Sequence, residues 1–411
     1  MLDIKQHILS NGLHVVALAD PTSPIATVNL LYKVGSRNED PTRTGLAHFM
    51  EHLMFTGSLN APDFDQELQR VGGENNAFTD EDITNYYINL PTCNIETAFW
   101  LESDRMINLT LDESKVEVQR KVVMEEFKQR CLNQPYGDLG HLKSALAYKV
   151  HPYRWPTIGM ELSHIANASM DDIRNFYQRH YTPDNAVLVV VGDIDPDKIF
   201  ALAEKWFADI TTRANVAPIP PEPVQTERRV LSVERDVPAD VISISYHIDS
   251  RITRQYYALD MATDILSDGV SSRLIQALTK QNPIMSEVDA GVSGSVDCGL
   301  LTFTGTLLPG VQLSDAEAAI HQVVDQLIAN RPTDYEMQKV KNRIEAGHTI
   351  TTMLPQIKAR ELAFYEMLCN AKYFDIEVDL YDTISGSEIS QTLQNVMTET
   401  NESVIYYKTK H

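Results

Sequence analysis

The sequence predicts an α+β protein of two similar domains, each a mainly antiparallel β-sheet packed with helices. Three observations carry this. At 411 residues the chain is long enough to bury two cores of ordinary size. Its first two strand-like segments flank Asn11-Gly12, the dipeptide favoured in tight antiparallel hairpins. Strands, helices and strands then recur in the same order on either side of a proline-rich stretch, which suggests duplication at the level of the fold. The expected division is 1–212, a linker at 213–229 holding Pro218, Pro220, Pro221 and Pro223, and 230–411.

The elements follow in order. His7 to Ser10 and Leu13 to Leu18 form the hairpin, and Ala26 to Val34 is a third strand ended by Gly35. A helix is expected from about Gly45 to Phe55, stopped by Gly57. Thr84 to Leu90 reads as a strand closed by Pro91, and Val116 to Lys128 has helical spacing. Ala186 to Asp193 is almost continuously apolar, the pattern of a strand buried on both faces. After the linker, Val230 to Val233 and Val241 to Tyr246 restart the strand pattern, and a helical segment leads into Leu266-Ser267-Asp268-Gly269.

Composition excludes several classes. A net charge of −22 repels nucleic-acid phosphates, whereas it suits basic or neutral peptides and aids solubility. No apolar run approaches the roughly 20 residues that span a bilayer, so no membrane association is expected. Met1 to Gln6 lacks the charged-then-apolar pattern of a signal peptide. The expected location is cytoplasmic, or periplasmic if a leader has been removed. Cys93, Cys131, Cys298 and Cys369 are far apart and form no C-x-x-C pair, as expected of reduced thiols.

Chemistry concentrates at His48-Phe49-Met50-Glu51-His52. Residues four apart share a helix face, so His48 and His52 can bind one metal ion. Glu51 flanks that face and can hold a water without being a ligand. The order H-x-x-E-H reverses the commoner H-E-x-x-H and marks a distinct group of zinc peptidases. A catalytic zinc needs a third protein ligand and one open position. Glu125 and Glu126 both sit in the apolar part of the later helix, Val122 to Phe127. They point about 100° apart, so one alone can face the metal, and helix geometry does not choose between them.

These stretches resemble the M16 peptidases, the group of pitrilysin, insulin-degrading enzyme and mitochondrial processing peptidase. The resemblance rests on Leu9 to Val15, Gly35 to Glu39, Thr44 to Phe55, Asn76 to Thr79, His151-Pro152-Tyr153 and Tyr177 to Asp193, in that order and over nearly the whole chain. It implies the LuxS/MPP-like metallohydrolase fold, with the chain forming half of a clam-shell chamber. It also implies Zn2+ as cofactor and Glu51 as general base in peptide cleavage. Aligning Gln119 to Glu126 with the family pattern E-R-x-x-x-x-x-E makes Glu126 the third ligand beside His48 and His52. The first glutamate of that pattern is Gln119 here, which cannot share charge or protons.

The resemblance further implies that Asn76, Ala77, Phe78 and Thr79 form an edge strand that binds extended peptide through main-chain hydrogen bonds. Active members carry an Arg and a Tyr seven residues apart in the C-terminal half. After Ser272-Arg273-Leu274 these positions fall on Thr279 and Ser286. The pattern is that of a zinc-bearing M16B-like subunit whose related partner supplies the Arg/Tyr pair; a homodimer is the alternative. A non-catalytic peptide-binding or complex-organising member is the competing reading. The four residues His48, Glu51, His52 and Glu126 oppose it, because inactive members usually lose one or more of them.

Overall fold

The computed structural model describes residues 2–212 and 217–410. The first four residues of the expected linker, 213–216, lie outside the described residues. Two compact units emerge, each α+β with one sheet packed by helices.

The first unit holds a six-stranded sheet of β1 (Lys5–Ile8), β2 (His14–Ala19), β3 (Ile25–Tyr32), β4 (Glu74–Thr79), β5 (Thr84–Pro91) and β6 (Ala186–Gly192). Their order is β1-β2-β6-β3-β5-β4, antiparallel except for the β2/β6 pair. The expected Asn11-Gly12 hairpin joins β1 to β2, and β4 is an edge strand.

β6 is buried at every position. Ala186, Leu188 and Val190 face the main core, which includes Phe49, Met50 and Leu53 of the helix Leu46–Leu53. Val187, Val189 and Val191 face the other side, where Ala359, Leu362, Ala363 and Tyr365 of the helix Pro355–Leu368 cover them. Lys358 of that helix pairs with Asp20 just after β2, both side chains more than nine-tenths buried.

That packing changes the domain division. The expected blocks 1–212 and 230–411 are contiguous, but the compact units are not. The first comprises Met1–Gln129, Trp155–Ile219 and Thr349–Ile376; the second comprises Arg130–Arg154, Pro220–His348 and Glu377–His411. A strand that is apolar on both faces needs a cover on both faces, and residues 349–376 supply the second one.

The second unit holds β7 (Arg229–Arg235), β8 (Val241–Ile248), β9 (Met285–Val292), β10 (Gly299–Leu307) and β11 (Glu402–Thr409). Their order is β7-β11-β8-β10-β9, and the β7/β11 pair is the parallel one. Replacing β2, β3, β4, β5 and β6 by β7, β8, β9, β10 and β11 converts the first order into the second, with the parallel pair in the same place. The fold-level duplication expected from the sequence is therefore present in the topology, and β1 is an addition to the first copy. Among the described residues no helix is long and apolar enough to cross a membrane.

Candidate metal centre

The motif helix Leu46–Leu53 starts at Gly45, whose φ of 90° is the left-handed conformation that glycine adopts without strain. A Cβ there would lie 2.7 Å from Ile165 Cδ1 and 2.9 Å from the Ile158 carbonyl. The side chain of Glu39 supplies the cap: its two oxygens accept the Gly45 and Ala47 amides at 2.8 and 2.7 Å. Burial pushes the Glu39 carboxyl up to about 8, against the pull of those amides. Leu46, Ala47, Phe49, Met50 and Leu53 are buried, which fixes the rotation of the helix about its axis. His48 and His52 then project together, one buried and one half-buried, with ring centroids 4.9 Å apart and planes nearly perpendicular.

The helix Glu113–Phe127 brings the carboxylate. Asp112 caps it by accepting the Ser114 amide at 2.8 Å, and Val116, Val123 and Phe127 bury its apolar side. Arg120 locks it in place. Its guanidinium donates to the carbonyls of Ile165 and, at 2.8 Å, Ala168, and lies 5.4 Å from the centre of the Phe49 ring. Glu126 Oε2 consequently sits 3.7 Å from His48 Nε2 and 3.5 Å from His52 Nε2. Glu125 turns outward, with its side chain 66% exposed and paired to Lys128 at 2.6 Å. The choice that helix periodicity leaves open is thus resolved in space: Glu126, not Glu125, meets the two histidines.

One ligand atom from each of His48, His52 and Glu126 lies within 4.8 Å of the others. Two donors about 2.1 Å from one tetrahedral zinc ion are separated by about 3.4 Å. The carboxylate–imidazole separations are close to that, and two imidazole nitrogens with one carboxylate oxygen are the donor chemistry zinc prefers. The residues present therefore fit the ion.

Glu51, next to His52 on the motif helix, accepts a hydrogen bond from Thr79 Oγ1 at 2.5 Å. Of the four residues expected to bind substrate, Asn76, Ala77, Phe78 and Thr79 all lie on β4, opposite Tyr87, Tyr86, Asn85 and Thr84 of β5. The Ala77 amide is met by the Asn76 side chain at 2.8 Å. Gln119 lies seven residues before Glu126, two turns away on the same helix face. In the second unit Thr279 bonds back to the Ile275 carbonyl, and Ser286 lies on β9.

The roles of Glu39 and Arg120 are not evident from the sequence. Glu39 ends a stretch that carries the resemblance and Arg120 lies in the segment aligned through it, yet nothing local says that Glu39 caps a helix six residues on. Thr79 appears in the sequence only as a substrate contact, and its bond to Glu51 is added by the fold.

The second unit keeps the topology of the site but not its donors. Its helix between β8 and β9, Arg254–Ser267, bears Asp260 and Asp264 four apart, and Arg343 pairs with Asp264 at 3.1 Å. A separate cluster there, Glu317, His321 and Glu402, also brings three donor atoms within 4.8 Å. Its carboxylates already have partners. Arg228 pairs with both glutamates, His321 lies 2.8 Å from Glu402, and Tyr246 and Tyr406 donate to Glu402 and Glu317. A guanidinium already held between the two carboxylates leaves less attraction for a further cation.

This network titrates in a defined window. Burial opposes ionisation of Glu402, but His321, Tyr246 and Arg228 outweigh it and hold the carboxyl down at about 2; the Glu402 carboxylate raises His321. A depressed acid contributes stability above its unfolded value near 4.5, lost as pH falls through the folded value. A raised histidine contributes below its unfolded value near 6.5, lost as pH rises through the folded value. The stability advantage of wild type over His321→Gln should therefore be largest between about pH 4.5 and 6.5 and smaller at pH 8.5. Thermal unfolding of both proteins at pH 5.5 and 8.5 checks this; an advantage that grows with pH would refute it.

Comparison with known proteins agrees with this architecture. Residues 14–155 match the family described as Insulinase (Peptidase family M16), and residues 167–344 match the Peptidase M16 inactive domain. The zinc protease PqqE of Helicobacter pylori is 33% identical over 340 residues, covering 81% of this chain and 76% of that protein. The mitochondrial-processing peptidase subunit beta of Lentinula edodes is 26% identical over 355 residues, covering 82% and 75%. The crystal structure of a protease from Helicobacter pylori superposes with a TM-score of 0.93 at 28% identity, covering 99% of this chain and all of that one. The chain belongs to the M16, or insulinase, family of peptidases.

Proposed function

We propose that this chain is a zinc-dependent endopeptidase for extended peptides or unfolded polypeptides, and that it works as the zinc-bearing member of a pair with a related chain. The observation that carries the first part is the convergence of His48, His52 and Glu126 within 4.8 Å, with Glu51 next to His52 on the same helix. These three residues would hold the ion, and Glu51 is left as a base that is not a ligand. When bound, zinc supplies a Lewis acid that acidifies water and polarises a carbonyl. Glu51 takes a proton from the attacking water and delivers it to the amine that leaves as the peptide C–N bond breaks. β4 offers main-chain groups along its outer edge, where an extended peptide can add as a further strand. Recognition by backbone favours unfolded segments and loose sequence preference.

Thr279 and Ser286 support the pairing. They stand where active members carry an arginine and a tyrosine, and a relative of this chain is itself named a subunit. The same two positions, with Gln119, favour the second reading, a non-catalytic peptide-binding subunit. Cleavage of a quenched-fluorescence peptide mixture decides between them. On the first reading the zinc-loaded chain cleaves, alone or with its related chain, and Glu51→Gln lowers kcat by about 10²- to 10⁴-fold while zinc stays at one per chain. Cleavage that survives Glu51→Gln, or a chain that binds no zinc, would overturn it. Rates typical of complete enzymes from the chain alone would remove the need for a partner.

A further inference from the structure

We infer that Thr79 is a positioning residue for Glu51, so that the strand offered to substrate also sets the catalytic base. This rests on the peptidase reading above and deepens it.

The argument begins with a proton count. A threonine hydroxyl has one proton to donate. Two acceptors lie near Thr79 Oγ1: Glu51 Oε2 at 2.5 Å and Thr84 Oγ1 at 3.5 Å. The short contact to a carboxylate is the strong one, and the contact to Thr84 is at the limit of a hydrogen bond. Thr84 donates its own proton to the Val34 carbonyl at 2.8 Å, so it has none to offer Thr79. The Thr79 proton therefore goes to Glu51.

The scaffold makes that bond directional. Thr79 is the last residue of β4 and lies opposite Thr84 of β5. A β-branched side chain in a strand has few rotamers, so its hydroxyl is held where the backbone puts it. Glu51 lies on the motif helix, on the turn that carries His52. The bond thus ties one carboxylate oxygen of a helix residue to the last residue of the edge strand. A peptide that adds along Asn76 to Phe78 takes its register from β4, and β4 fixes one oxygen of Glu51. Substrate and base are then referred to one strand, which is the kind of alignment that lowers a barrier without tightening binding.

The test uses Thr79→Val, which keeps the shape and removes the donor, and Thr79→Ser, which keeps the donor. Loss of a hydrogen bond to a charged group corresponds to a fall in kcat of about 10- to 100-fold. KM should stay within about 2-fold, because the main chain of β4 is intact. Thr79→Ser should return kcat to within about 3-fold of wild type, since a hydroxyl restores the donor. Zinc content and melting temperature should not change in either variant. Crystal structures of wild type and Thr79→Val give a readout that does not need activity: the Glu51 carboxylate should leave its position in Thr79→Val and keep it in Thr79→Ser. An unmoved carboxylate, an unchanged kcat, a change confined to KM, or no rescue by serine would each overturn the proposal. A wild-type chain that cleaves nothing, alone or with its related chain, would instead overturn the peptidase reading, and the crystal structures would still judge the role of Thr79.

Discussion

Glu126→Gln should release the metal and cut peptide cleavage on the order of 10³-fold, the loss of several kcal/mol of metal-assisted stabilisation. The neighbouring Glu125→Gln should do neither. The two substitutions are chemically identical and one position apart, so any difference between them is a statement about geometry. Glu126 faces His48 and His52 at 3.7 and 3.5 Å, whereas Glu125 faces solvent and Lys128. An exposed pair of that kind is worth less than about 1 kcal/mol, and its loss leaves fold and site intact. Glutamine keeps the size of glutamate but brings no charge to the cluster. Zinc stoichiometry after exhaustive dialysis, measured beside cleavage, reports both effects. Retained zinc in Glu126→Gln, or zinc lost in Glu125→Gln, would show that the third ligand has been misassigned.

How much of this was legible from the sequence depends on how far apart the determining residues are. The hairpin at Asn11-Gly12, the strand Ala186–Gly192 and the motif helix are fixed by neighbours in the chain, and the structure places them within a few residues of expectation. The relation between His48 and His52 is local too, because it needs one helical turn. Glu126 is different. Its orientation depends on Arg120 reaching the carbonyls of Ile165 and Ala168, some forty-five residues away, and no periodicity encodes that reach. The same holds for the cover over Val187, Val189 and Val191. An apolar strand announces that it has two buried faces, but not that the helix Pro355–Leu368 buries one of them. Thr79 shows a further limit. Its place on an edge strand suggests contact with substrate, and its second partner, Glu51, lies on a helix twenty-eight residues earlier in the chain.

Glu102→Ala should destabilise the first unit by about 3–5 kcal/mol, a large share of the stability of an ordinary domain. Glu102 and Arg105 are 0% and 1% exposed and make a two-point contact, with Arg105 Nε and Nη2 on the two carboxylate oxygens at 2.7 and 2.5 Å. Among the described residues no oxygen meets Arg105 Nη1. The guanidinium instead lies among three aromatic rings, 4.4 Å from the centre of Tyr86, 4.7 Å from Phe64 and 5.4 Å from Phe55. Ring faces attract a desolvated cation, which accounts for a buried arginine whose outer nitrogen has no acceptor. Removing Glu102 strands that charge in a place water cannot reach. Removing both charges does not, so Glu102→Leu combined with Arg105→Met should recover most of the lost stability. Phe55 follows the motif helix, Phe64 opens the next helix, and Tyr86 lies on β5 opposite Ala77. The pair thus packs beside the motif helix that carries His52 and against β5, the neighbour of β4. Urea unfolding of the single and double variants, with zinc affinity measured on each, separates the two contributions. A double variant that is stable but binds zinc weakly would assign the buried pair to the geometry of the site. A double variant no more stable than Glu102→Ala would show that the rings around Arg105 require its charge.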